Sequence, residues 1–93
     1  MSAFLRSLLA QRNYEVTIAT AGVARTMLRD NRTSIDVLIT NVPLEFTGTP
    51  DVPLLYLAAN PLPEAIRGFE RVLFLVKPFH PRDLLDCIRK LLA

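Results

Sequence analysis

Cysteine is nearly missing from this chain: Cys87 is the only one in 93 residues. That excludes an intrachain disulfide and any cysteine-based zinc cluster, and a reducing, cytoplasmic setting is the simplest expectation. Histidine is equally scarce. His80 stands alone, so neither a multi-histidine metal site nor a Ser-His-Asp or Cys-His arrangement has the residues it needs. The three glycines, Gly22, Gly48 and Gly68, are isolated, which removes a glycine-rich phosphate loop. Long apolar runs are lacking too. The longest, residues 52–59, has eight residues with Pro53 inside it, whereas a helical membrane span needs about 20. The first ten residues imitate a short signal peptide. However, Arg6 interrupts their apolar run and no basic residue precedes it, so no export signal is read.

What is present describes a folded domain. Hydrophobic residues make up 51% of the chain and charged residues 22%, a balance that excludes intrinsic disorder. The length suits one domain spanning residues 1–93. Eleven basic residues face nine acidic ones, a net charge of +2. The arginines are scattered, with only Arg25, Arg29 and Arg32 sharing helical spacing. A nucleic-acid binder would cluster them, so the three read as a solvated helix face, and neither a nucleic-acid nor a membrane partner is expected.

Proline first appears at residue 43, so the second half is built from shorter pieces. Residues 2–13 predict a helix, with Met1, Phe4, Leu5, Leu8 and Leu9 as its stripe, Ser2 as a cap and Asn13 at its left-handed end. Tyr14, Val16 and Ile18 alternate with polar or small residues, predicting a strand over 15–20. Thr20 is the candidate cap of a second helix over 21–31, with Val23, Met27 and Leu28 on one face. Residues 35–40 predict a strand covered on both faces, 42–51 a loop, and 52–59 another buried strand. A short helix over 61–69, a strand over 72–76 and a helix over 81–92 follow, with Pro81 at the last helix's first position. Strands alternating with helices imply a mainly parallel sheet between helices. Ligands of such sheets lie beyond the carboxyl ends of the strands, here Thr20, Asn41, Ala58, Ala59, Asn60 and Lys77.

Four segments in order carry a family resemblance. They are the opening FLRSLLAQRNYEVTIAT, Asp36-Val37-Leu38-Ile39-Thr40-Asn41, the run over 52–59, and Val76-Lys77-Pro78-Phe79 before an amphipathic helix. Together the chain resembles a response-regulator receiver domain of two-component phosphorelay signalling. The resemblance implies a flavodoxin-like three-layer sandwich, reduced to about four strands because the family's first strand has no counterpart. Either an upstream segment was lost by truncation or misannotation, or this is a reduced domain. The connection over 42–51 is too short for the family's third helix.

The family transfers phosphate to an aspartate with a magnesium ion held by an acidic pair. Carried over position by position, this chain keeps little of that apparatus. Asn41 stands at the phosphoacceptor position, and a neutral amide lacks the attacking anionic oxygen. Ala58 and Phe74 stand at the switch positions, neither with a polar tip. Lys77 is the retained lysine, expected to donate to the Asn41 side chain or to backbone carbonyls. No acidic pair, metal or cofactor is expected. The leading reading is a non-phosphorylatable pseudo-receiver, not an enzyme, acting by protein–protein contact with a histidine kinase, an output domain or a second copy. Its partner face is the last strand and helix, with Arg71, Arg82, Asp86 and Arg89. Dimers or strand exchange are expected if the missing strand leaves a gap. The alternatives are a receiver using another acceptor, or a small α/β nucleotide-binding or enzyme fragment. Phe46, Phe69 and Phe79 read as packing residues, His80 as a helix-start residue and Cys87 as an inert thiol.

Overall fold

The computed structural model describes residues 2–30, 34–48 and 52–93. Met1, Arg32, Asp51 and the Ser2 side chain, named above, lie outside that description. The elements are α1 (Ser2–Ala10), α2 (Ala21–Arg29), β1 (Leu38–Thr40), β2 (Leu54–Ala58), β3 (Val72–Val76) and α3 (Pro81–Leu92). Two 3-10 turns, Pro43–Phe46 and Pro63–Ile66, sit in the connections before and after β2. The fold is α/β, with a parallel sheet in the order β1-β2-β3.

β2 is the spine. Leu54 pairs with Leu38 on one side and Val72 on the other, and the β3 register continues to Ala58 against Val76. Strand residues alternate between faces, so this run supplies two cores at once. Leu55 and Leu57 meet Leu9 of α1 and Leu84, Ile88 and Leu91 of α3. Leu54 and Tyr56 meet Ala65 of the second 3-10 turn, with Phe69 beside them. Leu54, Leu55 and Leu84 expose no surface. Burying each stabilises the fold by roughly 1.5–3 kcal/mol relative to exposure.

The last helix is set by its own chemistry. Its inner stripe recurs every three or four residues and Pro81 fits the first turn. His80 is the N-cap: its Nδ1 accepts the Arg82 amide at 3.1 Å, while the Asp83 carboxylate accepts the His80 amide at 3.4 Å. This reciprocal arrangement is a capping box built on histidine. Thr20 caps α2 as expected, accepting the Val23 amide at 3.3 Å. Asn13 has φ 67°, the left-handed conformation that ends the first helical region.

Three expectations are corrected. Among the described residues the sheet has three strands, not four, because residues 15–20 join no ladder: alternation marks a strand face, but a strand also needs a neighbour to bond. The β1 ladder covers only Leu38–Thr40, and its residues are half-buried, since among the described residues one side has no strand. The apolar face of α2 is partly covered: Met27 and Leu28 are half-buried and Val23 is 53% exposed. The helix expected over 61–69 shrinks to the turn Pro63–Ile66, with Gly68 at φ 94° just beyond it.

If α3 packing anchors the fold, Leu84→Ala lowers the unfolding free energy by about 2–5 kcal/mol through the cavity it leaves. Val23→Ala, on an exposed helix face, changes it by less than about 0.5 kcal/mol. Urea denaturation followed by circular dichroism measures both.

Candidate functional site

Parallel strands end together, so Asn41, Ala58 and Lys77 gather at one edge of the sheet. Ala58 lies opposite Val76, and its carbonyl accepts the Lys77 amide at 2.9 Å. Lys77 and Asn41 line one cleft together. Among the described residues no hydrogen bond joins the Lys77 ammonium to the Asn41 side chain, and no carboxylate pairs with that ammonium. The Thr40 hydroxyl instead accepts the Val42 amide at 3.0 Å, turning the chain away from the strand. Phe74 lies one strand further out and is 54% exposed on the sheet edge, beside the 45% exposed Val76.

The cleft that Lys77 and Asn41 share has a volume of about 900 Å3 and lies between β1 and residues 14–20. Its apolar lining includes Leu9, Met27, Leu28, Leu57 and Ile88. Both walls carry unsatisfied backbone. The Leu38 amide donates to the Pro53 carbonyl at 2.9 Å, toward β2. In a parallel strand the peptide groups of alternate residues point to opposite sides, so those of Val37 and Ile39 point into the cleft. Across it, among the described residues, no backbone hydrogen bond involves residues 15–19. This stretch runs without turn or bend.

A second cleft of about 570 Å3 opens on the other side of Asn41, between Arg25, Pro43, Tyr56 and Leu62. The Arg25 Nε is buried without a hydrogen-bond partner. The Tyr56 hydroxyl accepts the Leu62 amide at 3.4 Å. Sequence reasoning gave Arg25 only a place on a solvated face.

On the partner-face candidates, charge is partly used within the fold. Arg71 donates to the Leu91 carbonyl at the end of α3, where a cation complements the helix dipole. Arg89 and Asp86 pair with each other along α3. The Arg82 side chain is exposed. Cys87 is half-buried on the same helix. Burial pushes its thiol above the ordinary value; Lys90 pulls the other way, while Asp83 and Asp86 add to the rise. Among the described residues no group of three or more histidine, cysteine, aspartate or glutamate side chains is placed to hold a metal ion. No helix of the described residues is long and apolar enough to cross a membrane.

No known protein family, curated protein or solved structure matches this chain.

Two outcomes follow from this chemistry. Alkylation of Cys87 by iodoacetamide rises with pH with a midpoint higher in the folded chain than in the urea-denatured chain. The same shift has a stability sign. A thiol kept neutral by folding contributes fully below its unfolded pKa, and that contribution is lost as pH rises through the folded value. Magnesium at millimolar concentration gives no saturable, localised amide shifts around Asn41 in a 15N-labelled chain, because tight binding takes carboxylates or phosphate oxygens.

Proposed function

We propose that this chain is a non-phosphorylatable pseudo-receiver module, a flavodoxin-like domain that works by protein–protein contact rather than by phosphotransfer. The observation that carries the reading is the grouping of Asn41, Ala58 and Lys77 at the carboxyl ends of adjacent parallel strands. Phosphoryl transfer needs an anionic nucleophile and cations to neutralise three equatorial oxygens. Asn41 supplies no anion, Ala58 no hydroxyl, and Lys77 is a single charge. The outer edge supports a contact role: Phe74 and Val76 present apolar surface there. Arg82 on α3 adds an exposed charge.

The Asn41→Asp chain tests it. Incubated with acetyl phosphate and magnesium, neither wild type nor Asn41→Asp gains the mass of a phosphate by intact-mass spectrometry. Restoring one carboxylate leaves the metal ligands and the hydroxyl missing. Loss of a metal's electrostatic contribution costs several kcal/mol at the transition state, and each ~1.4 kcal/mol is a tenfold loss of rate. A phosphate adduct on the variant would refute the proposal.

A further inference from the structure

We propose that the second cleft, between α2 and the turn Pro43–Phe46, binds a small apolar α-amino acid as its zwitterion, with the carboxylate on Arg25 and Tyr56 and the ammonium toward Glu45. This inference is independent of the receiver reading and uses neither Asn41 nor Lys77.

The polar groups of the cleft set the charge pattern. Arg25 is half-buried on α2, and its Nε is buried without an acceptor. A buried donor left unbonded is costly, and a carboxylate is the natural complement of a guanidinium. Tyr56 is only 5% exposed, and its hydroxyl accepts the Leu62 amide at 3.4 Å. Among the described residues the proton of that hydroxyl has no acceptor. Two unused donors therefore line one cleft. Glu45 lines it too and is exposed. Among the described residues it pairs with no cation. A simple anion gains from Arg25 and loses against Glu45, whereas an occupant with one charge of each sign meets a partner for both.

The rest of the lining asks for an apolar body. Val42, Leu44 and Leu62 are 44%, 67% and 54% exposed, and all three line this cleft. Large apolar side chains grouped in water, with polar groups among them, mark a ligand-binding surface. Leu44 belongs to the turn Pro43–Phe46 and Leu62 caps the turn Pro63–Ile66, so a small body lodged between them is held from two sides. The cleft volume of about 570 Å3 lies within the range of small-molecule sites, roughly 300–1,000 Å3. The charge pattern also separates a free amino acid from a residue of a polypeptide. At a carboxyl end the ammonium is gone, and at an amino end the carboxylate is gone. Only the free molecule carries both charges on one carbon.

Leucine is the probe, and the whole 93-residue chain, 15N-labelled and at neutral pH, is the protein. Amide shifts of Leu44, Glu45 and Leu62 are expected to move and saturate as leucine is added. Acetyl-leucine keeps the carboxylate and lacks the ammonium; leucine amide does the reverse. Each is expected to bind at least about tenfold more weakly than leucine. Glu45→Gln is expected to weaken leucine about tenfold and to leave acetyl-leucine as tight or tighter, a split that a merely structural glutamate would not produce. Arg25→Lys keeps the charge but removes the Nε donor, and is expected to weaken leucine and acetyl-leucine alike. Because Glu45 is exposed, its variant keeps the test decisive if Arg25→Lys unfolds, which far-UV circular dichroism reports. The proposal is overturned if leucine gives no saturable shifts at those amides, if either analogue binds as tightly as leucine, or if Glu45→Gln leaves leucine unaffected. It is also overturned if inorganic phosphate displaces leucine from the same amides at comparable concentration, since the cleft would then be a plain anion site.

Discussion

Every other element hangs on one strand that is paired along both sides. β2 holds β1 and β3 in parallel register, and its side chains feed one core on each face. A parallel strand needs both faces covered, and here the covers differ. α1 and α3 pack on the side of Leu55 and Leu57, while 3-10 turns do most of the work on the side of Leu54 and Tyr56. Phe46 at 3% exposure and Ala65 at 4% show how far two short turns replace helices when their apolar residues point inward. The carboxyl-end cluster follows from the same strand, because a shared register brings Ala58 and Lys77 to one edge, with Asn41 beyond β1.

The two outer edges of the sheet are unlike each other. β3 is bounded by Arg71 and Lys77, with Pro78 directly after, and charges and prolines are the residues that discourage edge-to-edge pairing. Its exposed Phe74 and Val76 face out of the sheet rather than along the hydrogen-bonding edge. The β1 edge is preceded by Asp36, and its peptide groups look into a cleft lined by both apolar and polar side chains. One edge is shielded and the other is open toward a wall of equally unpaired backbone.

The parts legible in the sequence were those that local chemistry decides. α3 was readable to the residue because Pro81, the leucine stripe and the capping residues all act within a few positions. β3 was readable because an uninterrupted apolar run between Arg71 and Lys77 has few other places to go. Thr20 and Asn13 were readable as a cap and a left-handed terminus for the same reason. Residues 15–20 were misread as a strand, since alternation of Tyr14, Val16 and Ile18 reports a half-buried face while pairing depends on residues far away. Phe46 was legible as a packing residue, but the 3-10 turn Pro43–Phe46 that seats it, in a stretch that looked like an open loop, was not. The positions of Asn41, Ala58 and Lys77 at the strand ends were legible, because strand ends follow from strand runs. The absence of a bond between Lys77 and Asn41 was not, because it is decided by the turn that Thr40 and Val42 make.

These two features, an edge without chemistry and an edge without a partner, meet at the same place. Asn41 terminates β1, and β1 is the wall of the open cleft. Along that wall Val37 and Ile39 turn their peptide groups away from β2, so among the described residues the strand that ends at Asn41 is hydrogen-bonded along one side only.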